Sequence, residues 1–332
     1  MRWLNDPLLD GFEYARIGLP HAAKAVGDPD GLLTASVVRR GEPRHGRAML
    51  YVHGWSDCFY QAHLAEVVES WGYDFLGLDL RRYGRNLVPG QMAGWVRDLA
   101  EYDEEIDAAV SLLRADHDSV TIMGHSTGGL IVPLWVSRHP GWVDGVILNS
   151  PWIDLQGSFL TRALAGPVAR SVRVAEPTTV LPIPSRDNFG HSIRREFGGE
   201  WDVPEVKDPS WAPFVTRAGW LAAILDGHQK VAQGLHIDVP LLVLISARSD
   251  LSATWKPSMK TADTVLDVDR LARAAVNLGR HLTLVRVRGG LHDVVLSAPS
   301  VRAGVFAEME RWVDAYFCLL YTSDAADEED SV

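Results

Sequence analysis

The sequence is poor in cysteine, in basic charge and in long apolar runs. Only two of its 332 residues are cysteine, so a disulfide framework is excluded and the fold must depend on its core. The 32 basic residues are outnumbered by 43 acidic ones, giving a net charge of −11. This argues against a nucleic-acid-binding protein, which needs basic surface to neutralise phosphates. No run approaches the roughly 18 apolar residues of a membrane span, and the first residues lack the apolar core of a signal peptide. We therefore expect a soluble, cytoplasmic globular protein.

The last fifteen residues differ in character from the rest of the chain. Residues 318–332 contain five acidic residues and no basic one. The string from Cys318 to Glu328 resembles a translated sequencing-library adaptor, of the kind left where a metagenomic read ends inside a gene. We interpret 318–332 as a non-native, disordered tail; a natural acidic tail is the alternative. Removing its five acidic residues changes the net charge from −11 to −6, and Cys58 becomes the remaining cysteine.

Short apolar runs alternate with longer helical patterns, which is typical of an α/β fold with a mostly parallel sheet covered by helices on both faces. The first two runs precede any helical pattern, so we expect them to pair as an antiparallel edge. The eight predicted strands are Phe12–Leu19, Leu32–Val38, Ala48–Val52, Tyr73–Leu80, Ser119–Met123, Val143–Asn149, Pro240–Ser246 and His281–Val287.

One helical pattern is especially clear between the fourth and fifth predicted strands. It places six apolar residues on one face at a spacing of three or four: Trp95, Leu99, Tyr102, Ile106, Ala109 and Leu113. The acidic run 103–105, together with Asp107, falls largely on the other face. We interpret this run as solvated surface and not as a metal site.

The alternation stops between Trp152 and His236. This stretch is dense in proline and has no strong strand pattern, so we expect short helices and turns there. Strand periodicity resumes at Pro240. The sequence therefore predicts an insertion, 152–236, into a core formed by 1–151 and 237–317.

The strongest chemical signal is the segment Gly124–Gly129, directly after the fifth predicted strand. Its sequence is Gly-His-Ser-Thr-Gly-Gly, with one glycine two residues before Ser126 and another two residues after it. A serine on a sharp strand-to-helix turn needs such residues two before and two after it, because the strand and helix approach closely there. Ser126 is therefore the candidate nucleophile. The alternative is a glycine-rich turn without chemistry.

A serine nucleophile needs a base and an acid that orients the base. His292 is the best candidate base among twelve histidines, because it follows the last strand and so lies at the same sheet edge as Ser126; a surface histidine is the alternative. Two residues compete as the acid after the strand Pro240–Ser246. Asp250 comes four residues past that strand, whereas Asp263 requires the intervening loop to return to the active edge.

Acyl transfer also needs hydrogen-bond donors for the developing oxyanion. Gly54 follows the third predicted strand, and a glycine there lets backbone amides point inward. We expect the donors to be the amides of Trp55 and Thr127. His53 and His125 each flank a turn, and we interpret them as anchors of those turns.

No metal or cofactor site is predicted, because the sequence has no paired histidines at helical spacing and no cysteine cluster. Cys58 is interpreted as a small, partly buried residue. The insertion is rich in aromatic residues, which either line an apolar pocket or form a small core of their own: Trp152, Phe159, Phe189, Phe197, Trp201, Trp211, Phe214 and Trp220. An apolar pocket would suit a small-molecule ester with an apolar acyl or aromatic group.

Taken together, these segments resemble the α/β-hydrolase superfamily, in its monoacylglycerol lipase/lysophospholipase-like (serine aminopeptidase-like) branch. The matching segments, spread over residues 10–317, are Tyr51–Gly54, Leu78–Arg81 with Gly84, Gly124–Gly128, Ala262–Asp267 and Gly290–His292.

The resemblance implies an α/β-hydrolase fold with a cap inserted after the sixth strand, at Trp152–His236. It implies Ser126 as the nucleophile and His292 as the base, and its acid pattern favours Asp263. One departure is visible, because Arg82 stands where the family commonly has glycine. This departure bears on the shape of that loop and not on the triad.

The sequence thus predicts a cofactor-free serine hydrolase that cleaves carboxylic esters through an acyl-enzyme. Two alternatives stay open. The same triad serves amide or peptide hydrolysis, and the fold does not choose between them. A non-catalytic ligand-binding protein on the same fold is the other alternative, although such a protein has no need of all three triad residues.

Overall fold

A computed structural model describes residues 1–154, 176–183, 187–204 and 214–317, and in these ranges the chain folds around a nine-stranded β-sheet. The strands are β1 (Leu4–Asn5), β2 (Glu13–Leu19), β3 (Leu33–Arg39), β4 (Arg47–Val52), β5 (Tyr73–Asp79), β6 (Ser119–His125), β7 (Gly145–Asn149), β8 (Leu241–Ser246) and β9 (Leu282–Val287). All eight predicted runs form strands. The predicted total of eight omits β1, whose two residues are both exposed, so no apolar run marks it.

The strand order is β1-β2-β3-β5-β4-β6-β7-β8-β9. The pairs β1/β2, β2/β3 and β3/β5 are antiparallel, and the pairs from β5/β4 onward are parallel. The expected antiparallel edge is therefore confirmed. Because the carboxyl ends of parallel strands meet at one edge of a sheet, the loops after β4, β6, β8 and β9 gather there.

Helices cover both faces of the sheet, as predicted. They are α1 (Ala62–Ser70), α2 (Asp103–Arg114), α3 (Gly128–Arg138), α4 (Asn188–Ile193), α5 (Ala218–Gln233), α6 (Val268–Ala274) and α7 (Pro299–Phe317). Side chains of β4 alternate between two apolar clusters. Leu50 and Val52 belong to the cluster on the α2 and α3 side, and Met49 and Tyr51 to the cluster on the α1 and α7 side. No helix in the described ranges has the length and apolar character to cross a bilayer.

The clear helical pattern is helical from Leu99 onward, as a 3-10 turn, Leu99–Tyr102, capped by Asp98 and followed by α2. Trp95, the first residue of the predicted pattern, lies outside the helix. The six apolar residues of the pattern are buried as predicted. The interpretation of the acidic run as solvated surface is wrong for Glu105, which has no exposed surface. Its carboxylate accepts hydrogen bonds from the buried Arg81 guanidinium, with Nε at 3.0 and 3.1 Å from the two oxygens. Since Arg81 comes from the loop after β5, the pattern along α2 gave no sign of this partner.

The segment between β7 and β8 contains α4, a 3-10 turn at Arg195–Phe197, and α5. Helix α5 has 16 residues and is longer than the short helices we expected. The reason is that no proline occurs between Pro213 and Pro240. It packs against α3. The assignment of 152–236 as a cap separate from the core stays a prediction.

Two sequence interpretations involve residues that the structure does not describe. The tail 318–332 lies outside the described residues, as do two aromatic residues of the insertion, Phe159 and Trp211. Cys58 lies within them and has no exposed surface. It is therefore fully buried, not partly buried as the sequence suggested.

Candidate active site

Ser126 lies at the sharp turn between β6 and α3. Its φ is +52°, in the left-handed region that residues with a side chain rarely adopt. The flanking glycines are needed on steric grounds. A Cβ at Gly124 would lie 2.5 Å from the carbonyl oxygen of Gly128, and a Cβ at Gly128 would lie 2.4 Å from the carbonyl oxygen of His53. The predicted close approach of strand and helix is therefore confirmed.

The turn presents the Ser126 hydroxyl to the imidazole of His292. Ser126 Oγ lies 3.0 Å from His292 Nε2, and His292 Nδ1 lies 3.0 Å from Asp263 Oδ2. All three residues are buried, with 8% of Ser126, 3% of His292 and none of Asp263 exposed. A proton on Nδ1 is donated to the carboxylate, which leaves Nε2 free to accept the serine proton.

Asp263 reaches the imidazole because its loop leaves the sheet edge after β8 and returns to it. The backbones of Ser249 and Asp263 pair like parallel strands. The amide of Asp263 donates to Arg248 O at 3.0 Å, and the amide of Asp250 donates to Asp263 O at 2.8 Å. The other carboxylate oxygen, Oδ1, accepts from two amides of the following turn at 2.8 Å each. The side chain is therefore held at both oxygens.

The carboxylate of the competing acid, Asp250, has other partners than the imidazole. Its carboxylate accepts a hydrogen bond from the Ser252 hydroxyl at 2.7 Å and lies 3.0 Å from Lys256 Nζ. These contacts, the Ser252 hydrogen bond first, lower the pKa of Asp250. Of the two carboxylates left open by residue spacing, the one hydrogen-bonded to His292 is Asp263.

The two amides expected to stabilise an oxyanion flank the serine. A Cβ at Gly54 would lie 3.0 Å from Ser126 Cβ, so the backbone leading to Trp55 runs directly beside the nucleophile. Thr127 is the next residue in the chain. Among the described residues, neither the Trp55 nor the Thr127 amide donates a hydrogen bond. Within the described ranges, both N–H groups are thus available to a ligand oxygen.

His53 and His125 anchor the turns they flank. His53 Nδ1 donates to Gly54 O at 2.8 Å, and its Nε2 accepts from the Leu80 amide at 3.1 Å. His125 Nδ1 donates to Asn149 O at 3.2 Å. Burial lowers the pKa of His125, which favours its neutral form. The predicted anchoring hydrogen bonds are therefore present at both residues.

Aromatic side chains surround this site. The Trp55 ring lies 3.8 Å from Trp220 and 5.3 Å from Phe214, measured between centroids. The Trp152 amide donates to Ser126 O at 2.9 Å, and the Phe189 ring lies edge-on to His292 at 5.4 Å. These four residues of the segment 152–236 therefore lie near the site, Trp152 through a backbone hydrogen bond and the other three through their rings.

Two other aromatic residues of the insertion have different surroundings. Phe197 is 42% exposed and stacks on His191. Trp201 stacks on His63 of α1, and its indole N–H donates to Leu296 O at 2.8 Å. Trp201 thus fastens the segment that carries α4 to the core.

A buried polar group beside the site escaped the sequence reasoning. Asp293, next to His292, has 1% of its surface exposed and accepts hydrogen bonds from Asn149 and Gln61. The only signal in the sequence was the adjacency of an aspartate to the candidate base. Asn149 and Gln61 are far from it along the chain, so their role requires the fold. Within the described ranges, no three His, Cys, Asp or Glu side chains cluster in a way that could hold a metal ion.

Comparison with known proteins assigns this geometry to a family. Residues 43–296 match the family described as serine aminopeptidase, S33. The chain belongs to this family. Its fold is that of the α/β hydrolases, as the sequence resemblance implied.

Relatives of known name agree with the family match. A monoacylglycerol lipase of Mycolicibacterium smegmatis is 25% identical over 259 residues, covering 76% of this chain and 81% of that protein. Phospholipase YtpA of Bacillus subtilis is 33% identical over 113 residues, which cover 32% of this chain and only 41% of the phospholipase. A soluble variant of the monoglyceride lipase of Saccharomyces cerevisiae has a TM-score of 0.64 at 17% identity, covering 90% of this chain and 100% of that one. The relatives named here are thus two lipases and a phospholipase.

The departure at Arg82 has a structural explanation. Arg82 adopts a φ of +60°, which glycine adopts at lower cost. Its guanidinium is buried and bound to Asp28 in two places, and it also donates to Ala23 O and Trp95 O at 2.8 Å each. These contacts tie the β2–β3 loop to the turn after β5 and offset the backbone strain.

Proposed function

We propose that this member of the family is a cofactor-free serine hydrolase of carboxylic esters. Ser126 would be the nucleophile, His292 the general base and Asp263 the acid that orients it. The observation that carries the proposal is the hydrogen-bond chain from Ser126 Oγ through both ring nitrogens of His292 to Asp263. A serine hydroxyl is a weak nucleophile at neutral pH, and this chain supplies its activation.

In the acylation step, Ser126 Oγ attacks the ester carbonyl carbon while its proton passes to His292 Nε2. The carboxylate of Asp263 stabilises the imidazolium that forms. The negative carbonyl oxygen accepts hydrogen bonds from the amides of Trp55 and Thr127. The bond to the alcohol oxygen then breaks, and that oxygen takes the proton from Nε2 as the alcohol leaves.

Deacylation follows the same route with water as the nucleophile. The water oxygen attacks the acyl carbon while one of its protons passes to His292 Nε2. When the second tetrahedral intermediate collapses, the bond to Ser126 Oγ breaks and Oγ takes back this proton. The carboxylic acid is released and the site returns to its starting state.

The substrate proposed is a small-molecule ester with an apolar acyl or aromatic group. Two partly exposed aromatic side chains support this choice: the Phe189 ring lies against His292, and the Phe214 ring lies against Trp55 of the loop after β4. Apolar surface of this kind binds apolar groups by removing them from water.

The test is turnover of p-nitrophenyl butyrate by the wild-type protein and by two serine variants. Ser126→Ala should reduce kcat by at least about 10⁴-fold, because no other group supplies the nucleophile. Ser137→Ala is the matched control, since its hydroxyl donates within α3 to Leu134 O, and its kcat should equal that of the wild type. Full turnover by Ser126→Ala would refute the proposal.

Two further probes separate the alternatives. A matching p-nitroanilide tests amide hydrolysis, which the same triad can perform. A fluorophosphonate probe tests whether Ser126 is nucleophilic at all. Labelling with faster turnover of the anilide than of the ester would reassign the reaction to amides. Absence of labelling in the folded protein would indicate a non-catalytic ligand-binding protein.

A further inference from the structure

A second buried carboxylate lies beside the base. Asp293 Oδ1 accepts from Asn149 Nδ2 at 2.6 Å and from the Val295 amide at 3.2 Å, and its Oδ2 accepts from Gln61 Nε2 at 3.2 Å. Among the described residues, these donors are all neutral. An ionised carboxylate buried in this way is stabilised by N–H donors but lacks a counter-charge.

The partners of Asp293 join the base to the nucleophile. Asn149, at the end of β7, accepts through its side-chain oxygen from the Val294 amide at 3.1 Å. Its backbone oxygen accepts from the Ser126 amide at 3.0 Å. One buried asparagine thus contacts both the turn that carries Ser126 and the loop that follows His292.

The network continues to the opposite side of the loop. Gln61, directly before α1, also donates to the Tyr51 hydroxyl at 3.1 Å, and both residues are almost completely buried. The loop after β9 is therefore held to β4, β7 and α1 by hydrogen bonds that converge on Asp293. Such satisfied buried networks fix a single geometry.

We propose that Asp293 is a positioning residue for His292: it holds the base loop against the Ser126 turn, and its negative charge favours the imidazolium that forms during the reaction. This inference rests on the proposed function. The positive charge that would complement Asp293 arises when His292 accepts the proton of Ser126.

The charge of Asp293 already acts on neighbouring imidazoles. Burial lowers the pKa of both His125 and His63, and Asp293 opposes that effect at each of them. The His125 ring lies 5.0 Å from the His292 ring. Several elements contribute groups near His292. Its ring nitrogens contact Asp263 after β8 and Ser126 after β6, and its ring faces His125 and Phe189 of α4. The nearby carboxylates that act on His125 are Asp293 and Asp57, which follows β4.

The test is a titration of the His292 imidazole by NMR in protein labelled at histidine, with His292→Gln used to assign the signal. In Asp293→Asn, which removes the charge and keeps the size, we expect the titration midpoint to fall by about 0.5 to 1 pH unit. We also expect kcat for p-nitrophenyl butyrate to fall about tenfold with KM unchanged, because the lost interaction is strongest in the transition state.

Gln61→Met is the matched control, since it removes one hydrogen bond to Asp293 but leaves the charge. Its titration midpoint should stay at the wild-type value even if kcat falls. Asp293→Ser, which keeps an acceptor for the Val295 amide, repeats the charge removal should the asparagine variant fail to fold. An unchanged midpoint in a folded Asp293 variant, or an equal shift in Gln61→Met, would overturn the proposal.

The readouts also separate this inference from the proposed function. The titration requires no turnover, so a shifted midpoint in a protein that fluorophosphonate does not label would refute the hydrolase proposal while the coupling of Asp293 to His292 stands. Labelling of Ser126 together with an unchanged titration midpoint in the Asp293 variants would refute the inference about Asp293 while the hydrolase proposal stands.

Discussion

At the scale of the residue, the candidate nucleophile is held in a conformation that its own side chain disfavours. The left-handed φ of Ser126 costs about 1–2 kcal/mol. Two backbone hydrogen bonds maintain it, from the Ser126 amide to Asn149 O at 3.0 Å and from the Trp152 amide to Ser126 O at 2.9 Å. The strain directs Oγ out of the turn and toward His292. Tertiary contacts therefore supply what the local sequence alone would not favour.

The two acid candidates give a direct test at this scale. Asp263→Asn should lower kcat by about 10³- to 10⁴-fold. The asparagine NH2 group can donate to His292 Nδ1, and the ring proton then lies on Nε2, which can no longer accept the serine proton. Asp250→Asn is the matched control and should keep kcat within about twofold, since Asp250 contacts Ser252 and Lys256 instead of the base. Steady-state kinetics with p-nitrophenyl butyrate measure both. A large loss in Asp250→Asn alone would contradict the assignment.

The choice between Asp250 and Asp263 could not be made from residue spacing alone. Spacing placed Ser126 and His292 after strands and so predicted that they share one edge of the sheet. It left Asp250 and Asp263 open, because nothing local indicates that residues 251–262 loop out and that Asp263 returns to pair with Ser249. The family resemblance favoured Asp263, and that pattern reflects a tertiary pairing. The prediction that Glu105 is solvated was wrong for the same reason, since its partner Arg81 is remote in sequence.

At the scale of the element, the contact between β4, β6 and α3 depends on the absence of a side chain. Gly128→Ala should destabilise the protein by about 2–3 kcal/mol, because its Cβ would lie 2.4 Å and 2.5 Å from two carbonyl oxygens of the β4 end. Gly304→Ala, in α7 with no atom within 4 Å of the added Cβ, should instead stabilise it by about 0.5–1 kcal/mol. Urea unfolding measures both changes. Equal effects of the two substitutions would show that the turn is not tightly packed.

Helix α5 is held to the start of the insertion by a neutral histidine. His228 Nε2 donates to Trp152 O at 2.8 Å, and burial lowers the pKa of His228 from 6.5 to about 4. Between these values the unfolded chain binds a proton that the folded chain does not, so the free energy of unfolding decreases as the pH falls from 6.5 to 4. The contribution is about 3 kcal/mol over that interval.

The matching prediction is that His228→Gln, which keeps a donor for Trp152 O, loses less stability than the wild type between pH 7 and pH 4.5. The difference should be about 2 to 3 kcal/mol in the free energy of urea unfolding. His21→Gln serves as the control, because His21 is exposed, and it should lose as much stability as the wild type. An identical pH dependence in His228→Gln would mean that His228 is not neutral in the folded protein.

At the scale of the whole molecule, the centre of the parallel sheet was predictable because β4, β6, β7 and β8 are almost entirely buried and read as apolar runs. The exposed strand β1 left no such signal. The dense prolines of 152–236 predicted short helices, yet the length of α5 followed from the proline-free stretch after Pro213. Buried elements could thus be predicted from apolar patterns in the sequence. Contacts between distant segments, such as the ion pair of Arg82 with Asp28, could not be predicted from it.

The last described helix, α7, contributes to the stability of the whole molecule. Helix α7 buries Trp312, Val313 and Phe317, and a Cβ at Gly145 would lie 2.5 Å from the Phe317 ring, so the helix packs against β7 up to its final residue. A chain that stops after Phe317 should therefore keep its melting temperature within about 2 °C. A chain that stops after Arg311 loses three buried apolar side chains, each contributing about 1.5–3 kcal/mol, and should melt at least about 10 °C lower. Differential scanning calorimetry of the two truncations and the full chain measures this. A drop in the first truncation would show that residues 318–332 contribute to stability, and the interpretation of that tail as an adaptor scar would be wrong.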